Sequence, residues 1–113
     1  MPKPELEFHI PAGEWVPAGG GVPGIWNQTL ASDPETEAYT GLIRYEAGTD
    51  TSLNGSAIHP YWEEVFILEG ELTDLRLGKT FTKGTYACRP PGMEHGPWRT
   101  ETGVLMLEIR YKR

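Results

Sequence analysis

The chain has 113 residues, 23% charged and 38% hydrophobic, with a formal net charge of −6. That is the composition of one soluble globular domain with one core. It excludes a basic nucleic-acid footprint, since no Lys/Arg run breaks the acidic balance. No apolar stretch approaches the ~20 residues needed to span a bilayer. The start, MPKPELEFHI, carries prolines and charges where a secretion signal needs an apolar core. These features predict a cytoplasmic protein with no membrane and no nucleic-acid partner. The single cysteine, Cys88, has no internal disulfide partner and reads as a packed or silent thiol in the strand-like run TYACR, with a reactive thiol as the alternative.

Residues 1–39 read as an N-terminal arm with edge strands. Within them PAGEWVPAGGGVPGIWNQTL is rich in Gly and Pro around Trp15, Val16, Val22 and Trp26. It is expected to wrap a barrel edge or meet a second subunit. From residue 40 to 113 short alternating runs follow one another: Thr40–Gly48, Glu63–Leu72, Thr73–Gly78, Gly84–Pro90 and Gly103–Arg113. Each is bounded by Gly, Pro or polar clusters, and no window sustains a helical repeat of apolar residues. The pattern predicts an all-β antiparallel sandwich or barrel.

Two stretches carry chemistry. In HPYWEE, Pro60 and the VFIL run that follows favour extended chain, so His59 and Glu63 aim at one face. Glu63, Val65 and Ile67 then share that face, and Glu64, Phe66 and Leu68 the other. In GTYACRPPGMEHGPWR a strand enters the turn signal Pro90-Pro91-Gly92, and His95 follows three residues later. Two histidines and a carboxylate from separate strand segments form the ligand set of many non-haem metal sites. The alternative is a surface histidine beside an ordinary strand. His9, in the arm, is left out of the set.

The spacings resemble those of the cupin superfamily. Gly84, Pro90, Gly92 and His95 match the second cupin motif, G(X)5PXG(X)2H(X)3N, with Arg99 in place of its Asn. His59, Glu63 and Gly70 match the end of the first, G(X)5HXH(X)3-4E(X)6G, with Ala57 in place of its first histidine. The stretches EE…LEGE and RPPG..HGP are most similar to the small ChrR-like branch. The resemblance covers roughly residues 40–113. It implies a double-stranded β-helix, a jelly-roll barrel of two facing antiparallel sheets, with metal and substrate inside and a homodimeric assembly. It also implies that His59, Glu63 and His95 hold a divalent metal, Fe(II) first and Mn, Zn, Ni or Cu as alternatives.

Further site residues follow from parity and neighbourhood. If the Leu42/Arg44 face is inward, Arg44 would hold a carboxylate or enolate oxygen; if outward, it is a solvated arginine. Tyr61 offers a phenol beside the metal or lies at the surface. Trp62 and Trp98 flank the ligands as a pocket rim or pack on the arm, and Arg99 has the parity to face the site. The expected function is a metal-dependent enzyme acting on a small oxygen-containing molecule, with Glu63, Arg44 and Tyr61 catalytic and a dioxygenase-type reaction first. A metal- or ligand-sensing cupin and a metal-dependent isomerase or lyase are the alternatives.

Overall fold

The computed structural model describes residues 2–112. Its elements are β1 (Val16–Pro17), β2 (Ile25–Ser32), β3 (Tyr39–Tyr45), a 3-10 turn (Ser52–Asn54), β4 (Trp62–Asp74), β5 (Lys79–Thr82), β6 (Tyr86–Arg89), β7 (Trp98–Arg99) and β8 (Val104–Tyr111). All pairings are antiparallel, in the order β1-β2-β3-β8-β4-β5, with β6 and β7 also on β4. The 13-residue β4 belongs to two layers. Its first half pairs with β8 and β6, its second half with β5 and β7. A register shift between Ile67 and Glu69 turns the strand from one layer into the other. The all-β jelly-roll expectation holds, although the hydrogen-bonded path is open at β1 and β5 rather than closed.

Gly70 permits the turn. It has φ 86°, and a Cβ there would stand 2.0 Å from the Gly103 carbonyl oxygen. Only glycine accepts both the left-handed backbone and the contact.

Two readings of the chain change, those of Thr73–Gly78 and Cys88. Thr73–Gly78 is not a strand of its own. β4 runs on to Asp74, and the carboxylate of Asp74 then accepts from the backbone N–H groups of Arg76 and Leu77. An Asx-type turn takes the place of the alternation that TDLRLG suggests. The strands expected within residues 1–39 are β1 and β2, and β2 pairs with β3 on one side and β1 on the other. Cys88 is exposed on β6 rather than packed, since its parity points away from the core.

The registers place residues of the cavity-facing parity in rows across β2, β3, β8 and β4. One row is Ile25, Tyr45, Val104 and Gly70; the next is Asn27, Ile43, Met106 and Ile67. A third is Thr29, Gly41, Glu108 and Val65, and the last brings Tyr39, Arg110 and Glu63 together, with Arg89 of β6 beyond. The core cluster of Ile25, Tyr45, Val65, Ile67, Leu72, Val104 and Met106 lies at the apolar end of these rows. The charged row lies at the other. Polarity therefore changes along the strands, inside one barrel.

Candidate metal centre

His59, Glu63 and His95 converge at the charged end, with one ligand atom from each lying within 4.8 Å of the others. Glu63 comes from β4 and is buried because its parity is that of Val65 and Ile67. His59 precedes the strand. His95 is fixed by the turn before it: Gly92, at φ 86°, donates its N–H to the His59 carbonyl, and Met93 N–H donates to Pro90. His95 and Ala57 exchange backbone hydrogen bonds in both directions. The backbone thus ties the two motifs to each other before any side chain does.

His59 Nε2 lies 4.0 Å from Glu63 Oε2, and His95 Nε2 lies 3.7 Å from Glu63 Oε1. Ligands about 2.1 Å from a common ion stand roughly 3–4 Å apart, so the three donors fit a divalent metal. Burial and the nearby Arg89 guanidinium lower the affinity of His95 for a proton. A neutral ring is what a metal requires. Its Nδ1 reaches the Met93 carbonyl at 3.3 Å, which as a donor bond leaves Nε2 with the free lone pair. The His59 ring stacks on Tyr61, with centroids 4.8 Å apart.

Behind these donors is a network that the spacing of the motifs does not reveal. Arg89 Nη1 donates to Glu63 Oε1 at 2.8 Å, and its guanidinium lies over the Trp98 ring. Glu108, buried in β8, hydrogen-bonds Glu63 and accepts from Arg110 Nη2 at 2.8 Å. Burial pushes both carboxyls up. For Glu63 the bond from Glu108 and the charge of Arg89 outweigh that, and it is held well below the usual carboxylate range. For Glu108 burial and the adjacent Glu63 charge dominate over Arg110, and its carboxyl titrates well above that range. Two close carboxyls cannot both ionise cheaply, so the pair shares a proton, and the surroundings favour the charge on Glu63.

A cavity of about 520 Å³ opens from this centre into the barrel, within the range of small-molecule sites. Tyr61 and Trp98 line it; Trp62, Arg44 and Arg99 do not. Arg44 points outward, over the Trp15 ring, because Ile43 and Tyr45 hold the inward parity of β3. Trp62 neighbours Glu63 and so takes the outer face, stacked on Tyr111. Arg99 is exposed beside Glu101, because Trp98 takes the inward position of β7. The arginines at the cavity are Arg76, Arg89 and Arg110. One signal for the network was present in the sequence. Glu108 interrupts VLMLEI on the parity of Val104 and Met106, where an apolar residue is expected.

The family profile described as the ChrR cupin-like domain matches residues 4–111. No curated protein matches the sequence. Among solved structures, an RmlC-like cupin from Shewanella frigidimarina superposes with a TM-score of 0.75 at 22% identity, covering 100% of this chain and 96% of that one. An acetylacetone dioxygenase from Acinetobacter johnsonii gives 0.75 at 24% identity, covering 96% and 74%. The Rhodobacter sphaeroides SigE complex with the anti-sigma ChrR gives 0.62 at 21% identity, covering 84% of this chain and 46% of that one. At these identities the structural likeness is one of fold.

Proposed function

This chain belongs to the ChrR cupin-like domain family, and from that premise we propose that it is a metal-dependent cupin enzyme acting on a small oxygen-containing organic molecule. The observation that carries the reading is the convergence of His59, Glu63 and His95 at the wall of the barrel cavity. These residues would hold a divalent ion, Fe(II) first, which supplies Lewis acidity and, for iron, dioxygen chemistry. The acetylacetone dioxygenase among its structural relatives favours a dioxygenase-type reaction first.

The chain's own groups have definable tasks. Arg89 and Glu108 orient the Glu63 carboxylate and fix its charge. Glu108 keeps a proton at the cavity wall, where it is available to a bound oxygen anion. Tyr61 holds the His59 ring by stacking. Trp98 and the apolar rows exclude water from the reacting end. Arg44 and Arg99 are not part of this machinery.

Elemental analysis of protein purified without chelator tests the proposal, beside a Glu63→Ala/His95→Ala double variant. About one metal per wild-type chain, lost in the variant, is expected. No metal in either, after anaerobic addition of Fe(II), Mn(II) and Zn(II), would remove the enzyme reading. A second reading, a metal or ligand sensor that acts through a partner, is favoured by the anti-sigma ChrR among the relatives. It predicts metal binding without turnover.

The proposal extends to a homodimer through the outer face of the main sheet. Leu42, Leu107, Phe66 and Tyr86 stand opposite one another on four adjacent strands, and Phe66 and Tyr86 are exposed. Four strands about 4.8 Å apart, of which β6 is four residues long, give roughly 20 × 15 Å, less than half of the ~800 Å² per partner of a specific interface. The arm adjoins this face through Lys3 Nζ to Thr40 and presents Leu6, Phe8 and Ile10 to solvent. It supplies the remaining apolar surface if a second copy sits there.

A further inference from the structure

Ala57 stands against the metal centre and brings no ligand atom to it. It forms an isolated antiparallel bridge with His95, and the two residues exchange both backbone hydrogen bonds, at 2.7 and 3.0 Å. Residues opposed in this way lie about 5.5 Å apart at Cα and project their side chains to one face. Ala57 also lies two residues before His59, and the chain alternates between them. Ala57 and His59 line the cavity, whereas Ile58 turns to solvent and is 63% exposed. Alternation of this kind puts residues i and i+2 on one face. The Ala57 methyl is therefore directed to the same side as both imidazoles, whose ring centroids are 4.7 Å apart.

The cavity wall around this methyl is built of large rings, those of His59, Tyr61, His95 and Trp98. Among the described residues, no fourth histidine, cysteine, aspartate or glutamate joins His59, Glu63 and His95. The other carboxylates along the cavity are engaged elsewhere. Asp74 accepts from the backbone N–H groups of Arg76 and Leu77, Glu94 from the Ser56 hydroxyl, and Glu108 from Arg110. An ion that prefers about six ligands thus takes three from this chain and has about three to find from solution. Glu63 offsets only part of a divalent charge, and Arg89 and Arg110 lie alongside. A ligand that carries a negative charge of its own is favoured there.

From this arrangement we infer that Ala57 is a specificity-determining residue. It keeps open the side of the ion that faces the bridge between the two motifs, and a small, singly charged oxygen chelator takes the place of a fourth protein ligand there. A larger side chain at position 57 would fill the space between the imidazoles, and one with a ligand atom would compete with the chelator for the ion. The inference rests on the proposed function for the presence of the ion. It adds which side of the ion the ligand reaches and what kind of ligand fits.

The test uses the full chain loaded with Co(II), whose visible absorption reports its coordination, and acetohydroxamate as the chelating probe. Wild type is expected to take up cobalt and to change its spectrum when acetohydroxamate is added. Ala57→His should bind cobalt about tenfold tighter or more and acetohydroxamate about tenfold weaker or more, because the new imidazole occupies the open side. Ala57→Val fills that side with carbon alone and keeps the test decisive if the histidine variant folds poorly. It should weaken acetohydroxamate about tenfold and leave cobalt affinity within about threefold. A folded Ala57→His protein, or failing that Ala57→Val, with the acetohydroxamate affinity of wild type would overturn the inference and leave the proposed function standing. So would a wild-type cobalt spectrum that acetohydroxamate does not change. Wild type that takes up no cobalt would overturn the proposed function, and the inference with it.

Discussion

A single carboxylate, Glu63, shows how much of the site is residue chemistry. It accepts from Arg89, is hydrogen-bonded by Glu108 and faces both histidines. Removing Arg89 would leave a buried anion without its ion-pair partner, whereas Arg44 lies over the Trp15 ring on the outer face. Arg89→Met should therefore weaken metal binding by about 10–100-fold, the range found for groups that support metal ligands. Arg44→Ala should change it by less than twofold, roughly the scatter of a surface substitution. Chelator competition with both variants measures the contrast, and equal effects would contradict the placement of the two arginines. The sequence shows both as arginines in strands. Their parity decides their fates, and a parity error of one residue exchanges cavity for solvent.

At the scale of an element, β4 and its bend are held by two local devices. Gly70 faces the Gly103 carbonyl with left-handed backbone, so Gly70→Ala should cost about 2 kcal/mol or more and lower Tm by roughly 8 °C or more. A smaller loss would mean that the bend relaxes. Its neighbour Glu71 fastens the turn before β8 by accepting from the backbone N–H groups of Glu101 and Thr102. Burial raises the Glu71 carboxyl, but these bonds and those of the Thr100 and Thr102 hydroxyls prevail and hold it below its ordinary 4.5. A lowered folded-state value means that the ionised form is the one the fold prefers. Its stabilisation is complete above about pH 4.5 and is lost as pH falls through the lowered folded value. Melting curves between pH 6 and pH 3 should show a smaller acid loss in Glu71→Gln than in wild type. Parallel curves would exclude Glu71 from the acid limb.

At the scale of the molecule, β8 is patterned inside out. Its cavity face carries Glu108 and Arg110 beside Val104 and Met106, while Leu105, Leu107 and Ile109 point to the outer face. The outward leucines and isoleucine are half-buried within the chain itself, and they lie on the face where the proposed dimer contact would form. Leu107→Glu at the centre of the outer row should bring the sedimenting mass from twice 12.6 kDa to that of one chain, with the metal content unchanged. A wild-type protein that sediments as one chain at high concentration would remove the dimer.

The sequence by itself determined what depends on local chemistry. Short Gly- and Pro-bounded alternations dictate antiparallel strands, and the spacings around His59, Glu63, Gly92 and His95 mark both halves of a cupin site. These signals survive because turns and ligand offsets are set within a few residues. Tertiary structure alone decided which arginines enter the cavity, where β4 changes layer, and that a second buried carboxyl, Glu108, lies behind Glu63. Those facts depend on strand register, which is fixed by contacts between residues as distant in the chain as Tyr39 and Arg110. No short window contains that information, because burial, and with it the charge of each carboxyl, exists only once distant strands have paired.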